Sequence, residues 1–216
     1  EAVKTLSELR GFAPTLLYGV TGSGKTEVYI RCIQEQLLQQ KSVLLLAPEI
    51  ALTPQLEQRV KDQFGPAVGM YHSQMTPAKR YKAWKQFRSG EINILIGTRS
   101  AAMMSAPRLG LIIIDEEHDA SYKQHEGFKF SARDLAIKRA QMLKIPIILG
   151  SATPSLRTLR LVDEKKFGLI KLTKRITKQN PPKFSILDIN ETPLTSGLAP
   201  QAIEAIAATL KQQKQA

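Results

Sequence analysis

Seven residues near the start of the chain have the types and spacing that bind phosphate: Gly19, Thr21, Gly22, Ser23, Gly24, Lys25 and Thr26. With Val20 they fit the pattern G-x-x-x-x-G-K-[ST], after an apolar run and before a helical pattern. The glycines let backbone amides converge on phosphate oxygens, and the start of a helix adds partial positive charge. We expect Lys25 to reach the β- and γ-phosphates of a nucleotide and Thr26 to hold Mg²⁺. This context disfavours the alternative, an ordinary glycine-rich turn.

A second set of candidate residues is the acidic run Asp115-Glu116-Glu117-His118, which directly follows the apolar residues 111–114. A buried strand would place Asp115 at its exit, beside the phosphate loop, where a second Mg²⁺ ligand is needed. Glu116 is then positioned to orient and deprotonate a water for attack on the γ-phosphate. A charged loop after a buried strand is the alternative interpretation. The phosphate loop elsewhere in the chain favours the catalytic one.

A third pattern, Ser151-Ala152-Thr153, follows the apolar run that ends at Gly150. The hydroxyls of Ser151 and Thr153 are placed to hydrogen-bond to the acidic run and to relay the state of the nucleotide. Such tripeptides are common by chance, so this one has weight only beside the other two. We expect His118 to make a coupling hydrogen bond, because no partner at metal-ligand spacing accompanies it.

The elements that must position these residues alternate between apolar runs and helical patterns. Continuous apolar strands separated by helices indicate a parallel sheet covered on both faces, with functional residues at the carboxyl ends of the strands. The predicted strands are 15–18, 42–47, 67–71, 93–97, 111–115, 145–150 and 184–188. The predicted helices are 25–40, 54–64, 77–88 and 200–214, and 173–182 is predicted to be a loop.

Composition and charge fit one large domain that binds a polyanion. The chain has 216 residues, 43% of them hydrophobic, and a formal net charge of +12. Bases without acids occur in 72–90 and 165–183, which suits contact with a phosphate backbone, although a solvated surface is the alternative. The single thiol, Cys32, forms no internal disulfide, and a reducing compartment is the simplest interpretation. The sequence shows neither a membrane-spanning apolar run nor a secretory signal pattern.

The order of these motifs resembles the first lobe of a superfamily 2 helicase. In that family the phosphate loop is motif I, the acidic run is motif II and the Ser-Ala-Thr tripeptide is motif III. Residues 47–49 and 97–101 correspond to motifs Ia and Ib. The longer stretches 19–29, 48–55 and 115–124 are similar to the PriA family of bacterial replication-restart helicases.

The resemblance implies a three-layer α/β fold, the RecA-like form of the P-loop NTPases, with a mainly parallel sheet. Residues 1–190 would form the ATP-binding lobe, and residues 191–216 a linker and helix leading to a second lobe. The implied cofactors are ATP and Mg²⁺. The implied activity is that of a 3′-5′ DNA helicase that unwinds stalled or branched replication forks and supports primosome assembly. The implied location is the bacterial cytoplasm, in association with the nucleoid.

The resemblance also implies which residues contact DNA, forked or single-stranded. Motifs Ia and Ib of such enzymes contact the DNA backbone, and a loop rich in aromatic residues after motif II links DNA binding to ATP hydrolysis. Stacking on bases together with pairing to phosphates suits the mixed composition of that loop. The alternative is that Phe128 and Phe130 only anchor the loop to the core. The residues implied to contact DNA are Pro48, Thr53, Thr98, Arg99, Tyr122, Lys123, Phe128 and Lys129.

The resemblance also implies a second lobe that carries an arginine finger, and a cysteine-rich insertion that binds zinc. Cys32 is the only cysteine of this chain, so we expect the zinc-binding insertion in the remainder of the parent protein. Primosome components and single-strand-binding proteins are further implied partners. Because the finger comes from the second lobe, we expect this chain alone to hydrolyse ATP poorly. Two alternatives remain: a DNA-binding or docking module whose conformation the nucleotide sets, and a small-molecule kinase. The kinase ranks last. A kinase should show a lid and an acceptor pocket, and this chain instead has the helicase-like patterns 97–99 and 151–153.

Overall fold

The computed structural model describes residues 2–48, 54–173, 186–190 and 192–211. The chain divides into two compact units, 1–178 and 179–216. The functional boundary expected at residue 190 stays a prediction. Thr53, the predicted motif Ia contact, lies outside the described residues, as do most of the loop predicted at 173–182 and the end of the helix predicted at 200–214.

The first unit is built on one sheet of seven parallel strands, with a separate short hairpin. Across the sheet the order is β3-β4-β2-β5-β8-β1-β9, and each neighbouring pair is parallel. The hairpin pairs β6 with β7. In chain order the described strands are β1 (Pro14–Gly19), β2 (Ser42–Leu46), β3 (Val68–Tyr71), β4 (Ile94–Gly97), β5 (Leu109–Ile114), β6 (Lys123–Gln124), β7 (Phe130–Ser131), β8 (Ile147–Ser151) and β9 (Gly168–Leu172).

Helices connect the strands and begin at residues suited to that position. Hydroxyl oxygens of Thr76, Ser131 and Ser155 accept hydrogen bonds from backbone amides in the first turns of three helices, which satisfies donors that the helix leaves free. The helices of this unit are α1 (Ala2–Ser7), α2 (Lys25–Leu38), α3 (Pro54–Phe64), α4 (Pro77–Ser89), α5 (Ala132–Leu143) and α6 (Leu156–Asp163).

The sheet buries apolar side chains on both faces, so the unit has three layers. On β2, Val43 and Leu45 pack on the side of α2 and α3, whereas Leu44 and Leu46 pack on the side of α4 and α5. All four of these side chains are completely buried. The alternation follows from the two-residue period of a strand. The predicted three-layer α/β fold with a parallel sheet is therefore confirmed.

Six of the seven predicted strands correspond to β1–β5 and β8, and the seventh is wrong in the part that is described. Residues 186–188 are not a strand, and Ile186 is 98% exposed and Leu187 44% exposed, so neither belongs to a buried core. The sheet instead receives β9, from a stretch interpreted only as a basic surface. Along β9 the residues are exposed or half-buried, as expected for an edge strand, and the apolar signal is therefore weak.

The described part of the second unit contains helix α7 (Pro200–Lys211) and a bridge between Thr195 and Leu198. The helix predicted at 200–214 is confirmed up to Lys211. Within the described residues, none of the helices has the length and apolar character needed to cross a membrane.

Candidate functional site

The three chemical motifs follow three neighbouring strands of the sheet. The phosphate loop follows β1, the acidic run follows β5, and Ser151 ends β8, which lies between those two strands. Because all three strands are parallel, their carboxyl ends meet at one edge. Residues separated by more than 130 positions in the sequence therefore share one site.

The phosphate loop turns by using backbone conformations that glycine tolerates. Gly22 and Gly24 have positive φ angles of 77° and 91°, and the amide of Ser23 donates to the carbonyl of Val20 at 3.0 Å. At Gly19, a Cβ atom would lie 2.4 Å from Ser23 Oγ, so a larger residue does not fit. The buried Ser23 hydroxyl has no hydrogen-bond partner among the described residues. The loop thus keeps free polar groups close to the start of α2.

Lys25 lies in the first turn of α2 and is only 9% exposed. Its Nζ donates to the carbonyl oxygen of Gly19 at 2.8 Å and lies 3.6 Å from Glu116 Oε1. The ammonium group is therefore held between the loop and the acidic run, and its predicted contact with nucleotide phosphates stays a prediction.

Asp115 is held by two tyrosines that the sequence analysis did not connect with it. Tyr29 donates its hydroxyl to Asp115 Oδ1 at 2.8 Å, and Tyr122 donates to the Asp115 carbonyl at 2.7 Å. Burial raises the pKa of the Asp115 carboxyl, the nearby Glu116 adds to the rise, and the Tyr29 hydrogen bond and Lys25 oppose it. A nearby cation stabilises the charged form of a buried carboxylate that has few hydrogen bonds. This environment fits the prediction that Asp115 is a metal ligand.

Glu116 has a positive φ angle of 43°, which is uncommon for a residue with a side chain. Its neighbours explain the turn, because the amide of Asp115 still donates to Leu46 and the amide of Glu117 donates to Gly150. These two amides are two residues apart but point to opposite neighbours of β5, so the backbone has to rotate at Glu116. Strained conformations of this kind persist where the surrounding structure holds them and are typical of functional sites.

The phosphate loop and the acidic run line one cavity of about 710 Å³ at the carboxyl edge, and the Ser-Ala-Thr tripeptide does not reach it. Its lining comes from the phosphate loop, from Asp115 and Glu116, from the first turns of α2 and from α3. No motif in the sequence predicts the contribution of α3. The available signal was the polar character of its outer face, whereas its inner face packs on the sheet through Leu56 and Val60. The residues that α3 contributes to the cavity are Arg59, Asp62 and Gln63.

The cavity suits a nucleotide and Mg²⁺ bound together. Among the described residues, no three His, Cys, Asp or Glu side chains form a group that could hold a metal ion without other ligands. Mg²⁺ is usually bound by one or two protein ligands, with phosphate oxygens and waters completing the octahedron. Thr26 and Asp115, which both line the cavity, provide that limited set.

His118 connects the acidic run to the third motif through both ring nitrogens. Nδ1 lies 2.8 Å from Ser151 Oγ, and Nε2 lies 3.1 Å from Thr153 Oγ1. Nδ1 is also 3.7 Å from Glu116 Oε2. His118 therefore has the hydrogen-bond contacts expected between the two motifs, and its coupling role stays a prediction.

Glu117, the third residue of the acidic run, has a structural environment that the sequence analysis did not foresee. It is 2% exposed and forms an ion pair with Arg133 of α5. It also accepts hydrogen bonds from the Ser155 amide at 2.7 Å and from Thr158 Oγ1 at 2.8 Å. Only the fold brings these residues together, so local patterns in the sequence give no signal for this network.

Two of the residues predicted to contact DNA in motifs Ia and Ib have buried side chains, and their DNA contacts stay predictions. Pro48 and Thr98 are buried after β2 and β4, and Thr98 is 2% exposed, so these two side chains do not reach the surface. Arg99 donates to the carbonyls of Ser121 and Lys123 at 3.1 and 3.0 Å. Its guanidinium thus anchors the segment that follows motif II, and DNA contact by Arg99 stays a prediction.

The aromatic-rich segment after motif II is the β6–β7 hairpin. The sequence predicts a DNA contact at Tyr122. This side chain is only 2% exposed, and its hydroxyl donates to the Asp115 carbonyl. Lys123, Phe128 and Lys129 are exposed, as DNA contact requires. Phe128 is 77% exposed, and its ring centroid lies 5.8 Å from that of the half-buried Phe130.

Comparison with solved structures identifies relatives of this fold. A RecG structure bound to a three-way DNA junction matches 83% of this chain, and 23% of its own, with a TM-score of 0.59 and 22% identity. The helicase domain of Hef from Pyrococcus furiosus matches 78% of this chain, and 36% of its own, with a TM-score of 0.55 and 19% identity. At these identities the likeness establishes the fold alone.

Curated relatives are much more similar in sequence. Replication restart protein PriA of Haemophilus influenzae is 43% identical over 95% of this chain, and that of Helicobacter pylori (strain 26695) is 42% identical over 98%. The chain spans 28% and 33% of the lengths of these two relatives. Residues 2–162 match the DEAD/DEAH box helicase family, which is most of the first unit and includes all three motifs. The chain therefore belongs to the DEAD/DEAH box helicase family.

Proposed function

We propose that this chain is the ATP-binding and ATP-hydrolysing lobe of a DNA helicase or translocase. The observation that carries the proposal is the convergence of Lys25, Asp115 and Glu116 on one cavity beside a phosphate loop. Membership of the helicase family supports ATP as the nucleotide. The same convergence favours an enzyme over a module in which nucleotide only sets conformation, because a binding module has no need of a base at Glu116.

Each residue has a chemical role in this proposal. Lys25 and the amides of 19–26 bind the β- and γ-phosphates, and Thr26 and Asp115 hold Mg²⁺. Bound Mg²⁺ neutralises charge on the phosphate oxygens. Glu116 orients a water and takes its proton as the water attacks the γ-phosphate. His118, Ser151 and Thr153 link Glu116 to the segment after β8 and so transmit the state of the nucleotide.

The wider function is proposed from the relatives named replication restart protein PriA. In this proposal the lobe works with a second helicase lobe that supplies an arginine finger. The complete enzyme unwinds forked or single-strand-containing DNA with 3′-5′ polarity at stalled or branched forks, and supports primosome assembly with single-strand-binding proteins. Zinc belongs to the remainder of such a protein, and the bacterial cytoplasm, near the nucleoid, is the proposed location.

A binding titration on the 216-residue chain tests the nucleotide part of this proposal. Fluorescent ATP should bind in the presence of Mg²⁺, and Lys25→Ala should weaken binding at least about tenfold without lowering the melting temperature. Lys138→Ala, which removes an exposed base on α5, is the matched control and should bind as the unchanged chain does. Equal binding by Lys25→Ala would place the nucleotide elsewhere.

A second assay separates an ATPase from a conformational module. ATP hydrolysis is measured in the full-length protein with and without forked DNA. We expect hydrolysis that DNA stimulates. Binding without hydrolysis under both conditions would favour the module.

A further inference from the structure

Helix α4 presents an aromatic and basic face to solvent that the nucleotide site does not use. We call Tyr81, Trp84, Lys85 and Arg88 the α4 face. These residues are spaced by three or four positions, so they lie on one side of the helix, where they line a shallow open cavity. The opposite side of α4 packs on the sheet through Ala83 and Phe87, which are buried. The helix is therefore held by its core side, and the α4 face is left available.

The aromatic rings on the α4 face are arranged as a stacking surface. The ring centroids of Tyr81 and Trp84 are 5.6 Å apart at an interplanar angle of 38°, and the Arg88 guanidinium carbon lies 5.3 Å from the Trp84 centroid. The last distance is typical of a cation–π contact. Tyr81 nevertheless remains 61% exposed. A large aromatic ring exposed to this extent, in a cavity that Lys85 and Arg88 also line, offers a planar apolar surface next to positive charge.

The charge on α4 is of one sign. The helix carries five bases and no acid, and none of the five forms an ion pair within the described residues. Glu91, the nearest acid along the chain, accepts a hydrogen bond from Gln86. A helix with unpaired positive charge and an exposed ring is complementary to a polyanion that carries flat apolar groups. The five bases are Lys79, Arg80, Lys82, Lys85 and Arg88.

The position of α4 separates this surface from the ATP cavity. The helix follows β3, the edge strand, whereas the phosphate loop follows β1, which is five strands away in the sheet order. At about 4.8 Å per strand, the phosphate loop is roughly 24 Å away laterally. The part of the cavity formed by α3 is nearer, but α3 packs on the opposite face of the sheet from α4. The N-terminus of α4 lies towards the carboxyl edge of the sheet, because only 72–76 separate it from the end of β3. A DNA strand that crosses the carboxyl edge of the sheet can therefore continue onto α4.

We infer that the α4 face is a binding site for an unpaired DNA strand, with a base stacked on Tyr81 and phosphates paired with Lys85 and Arg88. Stacking needs an exposed base face, which a single strand offers and a duplex does not. A purely solvated basic helix would explain the charge but leaves the exposed Tyr81 ring, stacked beside the half-buried Trp84, without a role. This inference rests on the proposed action on DNA, and it adds a contact outside the helicase motifs.

The sequence supplies a direct probe, because Trp84 is the only tryptophan in the chain. Titration of the 216-residue chain with an unlabelled oligothymidylate at low salt should change tryptophan emission to saturation. Anisotropy of a labelled oligothymidylate, measured in parallel, gives the affinity. Tyr81→Ala should weaken that affinity by roughly tenfold, whereas Tyr81→Phe, which keeps the ring, should bind as the unchanged chain does. Arg88→Ala should lower the slope of affinity against salt by about one, and Lys138→Ala is the control for loss of a base elsewhere.

Three outcomes would overturn the inference. The first is binding of the oligonucleotide with no change in tryptophan emission and equal affinity for Tyr81→Ala, which would place the strand elsewhere and leave the proposed function intact. The second is an equal emission change with duplex DNA, because a duplex offers no base to stack. The third is failure to bind any oligonucleotide while fluorescent ATP still binds, which would remove DNA as a partner of this chain but not its nucleotide site.

Discussion

Arg133 and Glu117 form a buried ion pair, with Arg133 Nε 2.8 Å from Glu117 Oε2 and side-chain exposures of 10% and 0%. Glu117 directly follows the proposed base Glu116, and Arg133 lies in the first turn of α5, just after the hairpin. Thr158 of α6 bonds to both partners. The pair therefore joins the turn at Glu116 to the β6–β7 hairpin, and Thr158 extends the connection to α6, which follows motif III.

We predict that Arg133→Ala lowers the free energy of unfolding by about 3–5 kcal/mol, because it leaves the buried Glu117 carboxylate without its counter-charge. Chemical denaturation of the 216-residue chain measures this change. Adding Glu117→Gln to the same variant should recover part of the loss, since the uncompensated charge is then absent.

Arg157→Ala is the matched control for this measurement. Arg157 pairs with Asp134 at 2.9 Å, but its side chain is 67% exposed, so its loss should cost no more than about 1 kcal/mol. Equal destabilisation by the two arginine variants would contradict the special importance of the buried pair.

We predict that Glu116→Gln keeps Mg²⁺-ATP binding and slows hydrolysis by about 10²–10⁴-fold, because the amide keeps the shape of the side chain but cannot accept the proton from water. Single-turnover hydrolysis in the full-length protein measures the rate, and fluorescent ATP measures binding. Asp115→Asn should instead weaken binding that depends on Mg²⁺. Hydrolysis by Glu116→Gln at the ordinary rate would mean that another residue is the base.

The motifs and most of the sheet could be predicted because their signals are local. A buried parallel strand is a continuous apolar run, as in Leu44–Leu46 and Ile112–Ile114, and the phosphate loop is one contiguous pattern. Strand β9 has exposed positions and the base Lys171, so its sequence resembles a basic surface. Its strand character depends on pairing with β1, which no local pattern reveals.

The parts of the site that escaped prediction depend on contacts between distant residues. Tyr29 has the helical spacing of a core residue, and its bond to Asp115 spans 86 positions. Tyr122 lies in a segment rich in aromatic and basic residues, which suggests DNA contact, yet the tight turn after Asp115 directs its ring inward. In both cases only the three-dimensional arrangement shows the contact that the tyrosine makes.

Gly150 tests the link between Tyr29 and Asp115. A Cβ at this position would lie 1.7 Å from the Tyr29 hydroxyl oxygen and 3.4 Å from Asp115 Oδ1, and Tyr29 is completely buried. We predict that Gly150→Ala costs about 1–3 kcal/mol of stability and weakens Mg²⁺-ATP binding, because Tyr29 must move away from the carboxylate.

Tyr29→Phe in the same chain removes the oxygen nearest to the added methyl group but leaves the ring carbon Cζ 2.9 Å from it, so the double variant should recover part of that stability. Thermal melting and fluorescent ATP binding report the two effects separately. If Gly150→Ala melts at the ordinary temperature, the packing around Tyr29 is looser than these distances require.

The exposed end of the hairpin provides the last prediction. Phe128 is 77% exposed and Lys129 is also exposed, so changing both to Ala removes little that stabilises the fold. The hairpin continues directly into α5, where Arg133 contacts Glu117 beside Glu116. A strand that stacks on Phe128 can therefore shift the catalytic turn through one buried pair.

We predict that the double variant Phe128→Ala and Lys129→Ala keeps basal ATP hydrolysis and loses most of its stimulation by DNA. The loss of one stacked base and one phosphate contact should weaken the apparent DNA affinity roughly tenfold. Hydrolysis in the full-length protein is measured against the concentration of forked DNA, with Lys138→Ala as the control for a lost base. Stimulation should require a higher DNA concentration and reach a lower plateau, because both binding and its transmission through the hairpin depend on these side chains. A weaker apparent affinity with an unchanged plateau would mean that the hairpin binds DNA without transmitting it to Glu116. Stimulation that is unchanged in both respects would assign the hairpin a packing role through Phe130 alone.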